Sequence, residues 1–368
     1  MATHQVNNSP TLRDKRQQEF ANIWLNHGKY GILNLCPRFG KIYTTINILE
    51  QLPADISILI AYPDLKIKSS WEEDFKARKY KNQNITYTTH LSLKKHTELQ
   101  YDLIVLDEIH LLSEAQIEAV KEMIKTHDKV LGLTGTLSSW TERTLQDELQ
   151  MSVLATYPIE KAIEENVITD YQITVITTPL DDVIKYNYKG KWKTEKKQFD
   201  AYGWVINQLD LKGQATMFLR LARMRIIQNS VAKLQLTKRL LAKHKDERVL
   251  VFCGVTKIAD ELDIPVYHSK AGDKQVFEDF AAGKGNHLAV VKIGNTGVTY
   301  KPLNRVIINY FDSNGENLAQ KINRCMAMEY NTPDKKAHIY IVSSTEDVEK
   351  KWLKSALEFF DKSKINYV

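Results

Sequence analysis

YDLIVLDEIHLLS, residues 101–113, sets four consecutive apolar residues, Leu103 to Leu106, directly before two carboxylates and a histidine. An apolar run of that length, with no polar alternation, predicts a strand buried on both faces, as in a parallel sheet covered by helices. Its tip carries Asp107, Glu108 and His110 to the carboxyl edge of the sheet, where open α/β folds bind their ligands. Working outward, GKYGILNL, SILIAY and ITYTT before it and KVLGLTGT after it read as further strands. Amphipathic stretches between them, YTTINILEQL, SSWEEDFKA and EAQIEAVKEMIKTH, read as the crossover helices.

About 65 residues upstream of the acidic tip, CPRFGKIYTT (36–45) lies after one strand and opens a helix. Backbone amides at such a helix start can cradle phosphates, and a lysine can reach the outer ones. Gly40 and Lys41 fit that use, with Pro37, Arg38 and Phe39 completing the loop. Leu35 stands where the first glycine of a phosphate loop belongs, and Ile42 where a Ser or Thr would ligate Mg²⁺. Together the two stretches point to a nucleotide with Mg²⁺. Asp107 would hold the metal through water, and Glu108 would orient or deprotonate an attacking water. His110 could couple the site to the next strand.

The second half repeats the same grammar. RVLVFC, IPVYH, HLAVVK, RVIINYF and AHIYIVSS read as strands, with helices near 256–262, 272–282, 315–327 and 345–361. At 368 residues, 43% hydrophobic, the chain is long enough for two cores. No apolar run approaches the roughly 20 residues of a membrane span, and the polar N-terminal stretch lacks a secretory pattern. Three scattered cysteines, Cys36, Cys253 and Cys325, suggest a reducing compartment with neither disulfides nor a zinc site. Those readings lead to the expectation of a cytoplasmic protein. The net charge is +6, and residues 156–368 carry 33 Lys/Arg against 26 Asp/Glu while residues 1–155 carry 18 against 19. An acidic partner would lean on the second half.

Residues 181–245 interrupt the pattern. KYNYKGKWKTEKK holds six lysines and three aromatics. Aromatics on alternate residues around Gly190 predict a β-hairpin. Three helices follow, QFDAYGWVINQLDL, QATMFLRLARMRIIQ and VAKLQLTKRLLAKH. The whole reads as an insertion leading into the second sheet. Arg220, Arg223 and Arg225 could line a phosphate track or solvate a face. Trp24, Trp71 and Trp204 read as packing residues.

At this point the chain resembles the superfamily 2 helicases and translocases over nearly its whole length. LRDKRQQEF looks like the adenine-reading segment, with Gln17 or Gln18 as the reader. CPRFGK is similar to motif I, AYPDLKIKSSWEEDF to motif Ia, YTTHLSL to Ib, LDEIH to II and LTGT to III. YPIEKAIEENVITDY resembles the stretch after motif III in restriction-enzyme translocases and the phage UvsW group. VLVFCGVTKIADEL, GNTGVTYKPLNRVI and AQKINRCM resemble motifs IV, V and VI.

The resemblance implies an α/β fold of two tandem RecA-like domains, each a mainly parallel sheet with helices on both faces. They would span 1–157 and 158–368, with ATP and Mg²⁺ in the cleft between them. It implies catalytic roles for Lys41, Asp107, Glu108 and Arg324. The nucleotide would meet Gln17, residues Pro37 to Ile42, Gln320 and Arg324. Nucleic acid would meet Pro63, Thr89, Thr136, Thr296 and Gly297, and the hairpin's Lys189, Lys191, Trp192 and Lys193. The spelling of motif Ia leans toward duplex or branched DNA over RNA, and a monomer on its substrate is expected; a phage origin would suit the compact size. Two departures bear on rate. Ile42 removes a Mg²⁺ ligand, with Thr44 pointing elsewhere, and Ala327 stands where motif VI has its second arginine. Asn323 replaces the motif's glycine, and Arg305, read as starting a strand, is a poor substitute. A nucleic-acid clamp with a degenerate ATP site, or an RNA helicase, are the rival readings.

Overall fold

The computed structural model describes residues 10–65, 67–188, 190–268, 274–291, 303–312, 318, 321–322, 325, 336–358 and 360–368. The chain divides into two compact units, one running to Ile168 and the next beginning at Thr169.

The first unit is built on six strands: β1 (Tyr30–Leu35), β2 (Ile58–Tyr62), β3 (Ile85–Thr89), β4 (Leu103–Asp107), β5 (Val130–Thr134) and β6 (Val153–Tyr157). They form one sheet in the order β3-β2-β4-β5-β1-β6, with every pairing parallel. All five residues of β2, β4 and β5 are buried, which is why these strands read as unbroken apolar runs. Helices α1 (Leu12–Asn26), α2 (Lys41–Leu49), α3 (Ile67–Ala77), α4 (Glu114–Ile124), α5 (Ser139–Leu149) and α6 (Ile159–Glu164) join them. Thr11 caps α1 by a reciprocal capping box with Asp14. Tyr157 and Arg16 both bond Glu165, tying α1 to the segment that follows β6.

The register places the site. Leu133 on β5 pairs with Leu33 on β1 and with Asp107 on β4. The loops after β1 and β4 therefore leave the same edge of the sheet with one strand between them.

The second unit holds β7 (Asp170–Thr178), a two-stranded hairpin β8 (Tyr186–Tyr188) and β9 (Lys191–Lys193), then β10 (Val249–Cys253), β11 (Val266–His268), β12 (His287–Val291), β13 (Arg305–Ile308), β14 (Lys336–Ser344) and β15 (Ile365–Tyr367). Apart from the hairpin these make a parallel sheet ordered β11-β12-β10-β13-β14-β7-β15. Its helices are α7 (Glu195–Asp210), α8 (Met217–Gln228), α9 (Val231–Lys243), α10 (Thr256–Asp260), α11 (Lys274–Ala281) and α12 (Asp347–Ala356). Among the described residues no helix is long and apolar enough to cross a membrane.

Three details differ from the sequence reading. Strands β6, β7 and β15 were not expected; β15 is three residues long, too short to show a period. Helix α9, read as the last helix of the insertion, packs its Leu234, Leu240 and Leu241 into the core with residues of β10 and β13. Trp204 is 66% exposed, whereas Trp24 and Trp71 are fully buried as packing residues should be.

Candidate active site

The chain turns sharply between β1 and α2. Arg38 and Gly40 both take left-handed backbone angles, φ +69° and +104°. Alternation of that kind turns successive amides inward, the geometry of an anion-binding nest. Gly40 is required here for two reasons: its φ suits glycine, and a Cβ would sit 2.4 Å from Gln17 Nε2. Gln17 is buried and donates from Nε2 to the Phe39 carbonyl at 2.9 Å. Its Oε1 accepts no hydrogen bond among the described residues. Gln18 instead faces outward and bonds Asn22. The Phe39 ring is fully buried against Phe20 and Tyr157, so only its backbone is free to serve a ligand. Pro37, Arg38 and Ile42 are half-buried around the turn.

Lys41, first residue of α2, spans the width of β5 to reach the acidic tip of β4. Its Nζ donates to Glu108 Oε1 and lies 4.0 Å from Asp107 Oδ1. Burial opposes the charge on Lys41, but Glu108 and Asp107 outweigh it and hold the ammonium above the usual lysine value. Burial pushes the Asp107 carboxyl up to about 6 despite Lys41, with Glu108 adding repulsion. Burial also acts on Glu108, yet Lys41 and His110 override it and leave Glu108 below its usual value. Glu108 sits at φ +51°, a strained conformation for a residue with a side chain.

Asp107 Oδ2 accepts from the buried Trp71 indole at 3.1 Å, while Oδ1 accepts no hydrogen bond among the described residues. His110 Nδ1 lies 3.5 Å from Glu108 Oε2 and 2.9 Å from Thr134 Oγ1 at the end of β5. Thr134 in turn donates to the Thr136 carbonyl at 2.7 Å. A continuous polar path thus runs from the β4 tip to the loop after β5. Neither threonine hydroxyl on the first turns of α2 is exposed. Thr44 and Thr45 are fully buried and donate to the Gly40 and Lys41 carbonyls at 3.3 and 3.0 Å.

Pro63 and Thr136 follow β2 and β5, Thr89 ends β3, and all three are half-buried at that same edge. In the second unit, β8 and β9 pair antiparallel with Asn187 opposite Trp192, and Gly190 turns the chain at φ +80°. Lys191 and Trp192 are exposed and Lys193 is half-buried. Lys189, Thr296, Gly297, Gln320, Arg324 and Ala327 lie outside the described residues.

Two site neighbours escaped the sequence reading. The Trp71 indole on α3 holds Asp107 at the tip of β4, and no local spacing announces such a contact. His90, buried at the end of β3, has its imidazole pushed down to about 4 by burial, so a neutral ring lies close to the Asp107 backbone.

Residues 15–139 match the family described as type III restriction enzyme, res subunit, and residues 232–328 match the helicase conserved C-terminal domain. The chain is 23% identical over 331 residues to the DNA 3′-5′ translocase XPB2 of Sulfurisphaera tokodaii, covering 78% of this chain and 74% of that one. Among solved structures, S. cerevisiae Dbp5 bound to RNA and ADP BeF3 matches with a TM-score of 0.62 at 11% identity, covering 98% of this chain and 90% of that one. A fragment assigned as the HsdR subunit of a type I restriction enzyme from Vibrio vulnificus matches with a TM-score of 0.61 at 13% identity, covering 97% and 68%.

Proposed function

The chain belongs to the superfamily 2 helicases and translocases with two tandem RecA-like domains, and on that premise we propose that it is an ATP-dependent motor acting on duplex or branched DNA. The observation that carries the reading is Lys41 held between Asp107 and Glu108 at the edge where the β1 turn presents its amides. ATP entering that turn would draw the Lys41 ammonium onto its phosphates and free Glu108 to orient water. Asp107 Oδ1, a buried carboxylate oxygen with no hydrogen bond among the described residues, fits a Mg²⁺ ion held through water. Mg²⁺ there would neutralise charge on the phosphates. Gln17, with its unbonded Oε1 beside the turn, is the proposed reader of the adenine amino group. Arg324 is the proposed cation of motif VI, and Gln320 a further nucleotide contact. Pro63, Thr89, Thr136, Thr296 and Gly297 are the proposed backbone grips, which fix position without reading sequence.

The lean to DNA rests on the relative named a DNA translocase and on the restriction-enzyme likenesses. A slow or idle ATP site is the second reading, favoured by Ile42 and by the full burial of Thr44 and Thr45. ATP turnover against single-stranded DNA, forked duplex and single-stranded RNA tests these readings. The motor reading expects stimulated turnover that falls at least a hundredfold in Lys41→Ala and Glu108→Gln, in line with the loss of a key transition-state group. Wild-type turnover no higher than that of both variants would leave the idle clamp.

A further inference from the structure

Helix α8 is apolar on every side yet lies on the surface. Its sequence, MFLRLARMRIIQ, holds three arginines and no acid, and Ile227 alone among its twelve residues is buried. A helix with that composition is expected to be covered. Phe218 is 85% exposed and Met217 68%. The feature is regional. Of the seventeen large apolar side chains exposed among the described residues, nine fall between Val183 and Leu221. The same stretch is basic: residues 181–228 carry ten Lys/Arg and five Asp/Glu, +5 within a chain of +6.

Between α7, α8 and α12 lies a groove of about 470 Å³ lined by Phe199, Ile206, Leu221, Arg223, Met224 and Trp352. Its walls are apolar, but one group is not at rest. The Arg223 guanidinium stacks 3.9 Å over the Phe199 ring, and its buried Nε has no hydrogen-bond partner among the described residues. A flat cation with an unused N–H on an apolar floor suits a planar ring that carries acceptors. At the lip, Arg220 is paired to Asp210 at 2.6 Å, and Arg225 is exposed.

We infer that the α7–α8 lobe receives unpaired nucleobases, with a base in the Phe199–Arg223 groove and backbone phosphates on Arg225 and its neighbours. The inference rests on the nucleic-acid reading above and narrows it to strands whose bases are free, as at a fork. A closed duplex hides the ring faces that an apolar groove needs. A second copy of this chain is a poor occupant, because it would bring two faces of charge +5 together. An acidic protein helix would satisfy the charge but brings no flat heteroaromatic ring to lie against the Phe199–Arg223 stack.

The test is the affinity of the full chain for fluorescein-labelled oligothymidylate, forked duplex and blunt duplex, across a range of salt. Phe218→Ala removes an exposed side chain and leaves the fold intact; Leu221→Glu puts a negative charge at the groove lip. Both are expected to weaken binding to oligothymidylate and fork roughly tenfold, with blunt duplex unchanged. Arg225→Ala should flatten the salt slope by about 0.7. ATP turnover at saturating oligothymidylate stays at the wild-type level in Phe218→Ala. Wild-type affinity for all three nucleic acids in both apolar variants overturns the inference, and the face then belongs to a protein. Absence of any nucleic-acid binding or stimulated turnover in the wild type overturns the motor reading itself.

Discussion

Lys41, Asp107 and Glu108 meet because register brings the ends of β1 and β4 level across β5. Their residue types were legible in the sequence, since a strand-end acidic pair and a lysine at a helix start each have a chemical use. What held them was not legible. The Trp71 bond to Asp107 joins residues far apart in sequence and leaves no periodic trace. The structure sharpens the question posed by Ile42. The nearest threonines, Thr44 and Thr45, are fully buried, so neither presents a hydroxyl to a hydrated ion in place of the missing Mg²⁺ ligand. Ile42→Thr is therefore expected to raise ATP turnover and lower the Mg²⁺ concentration needed for half-maximal rate. Ala327→Arg should add a second cation at the γ-phosphate, an effect that in related chemistry reaches several orders of magnitude. Rates unchanged in both variants and in the pair would mean that other residues already fill these roles.

At the scale of elements, strands buried on both faces announced themselves, because a run such as LIVL has few other uses. β7 alternates buried and half-exposed residues over most of its length, yet only Asp170 and Tyr171 fall in the stretch read for its resemblance, and the rest drew no strand reading. Helix α9 packs three leucines into the second core, a contact that its place in a basic stretch of the chain does not announce. The hairpin was legible, since alternating aromatics around Gly190 admit a strand-turn-strand geometry, and the turn takes the positive φ that glycine favours. The exposed Trp192 at 66% is an unusual expense of apolar area on a two-stranded ribbon. If the hairpin meets phosphates, alanine at Lys189, Lys191 and Lys193 together should flatten the salt slope of binding by about two units. Trp192→Ala should impair strand separation more than ATP hydrolysis. An unchanged slope with unwinding intact would make the ribbon a solvated loop.

Across the whole molecule, the charge asymmetry read from the sequence has a location: most of the excess lies within residues 181–228, outside both parallel sheets. Each sheet has its own core, and the second contains an ion pair that sequence patterning conceals. Lys233 on α9 and Glu349 on α12 look like ordinary solvent-facing charges, yet both side chains are 1% exposed. Lys233 Nζ donates to Glu349 Oε1 at 2.6 Å, and Glu349 Oε2 accepts from the Ser344 amide at 2.6 Å, so the pair fastens α9 to the end of β14. Removing one partner strands a charge in the core. Lys233→Met is expected to destabilise the second unit by about 3–5 kcal/mol, and Lys233→Met with Glu349→Leu should recover part of that, because two apolar residues leave no orphaned charge. Amide exchange read separately over β10 to β14 and over β1 to β5 distinguishes a local loss from a global one. The expected result is faster exchange confined to the second sheet in the single variant and partial protection regained in the double. Equal exchange in single and double variants would mean that the pair's worth lies in packing volume, and that its charges hold nothing together.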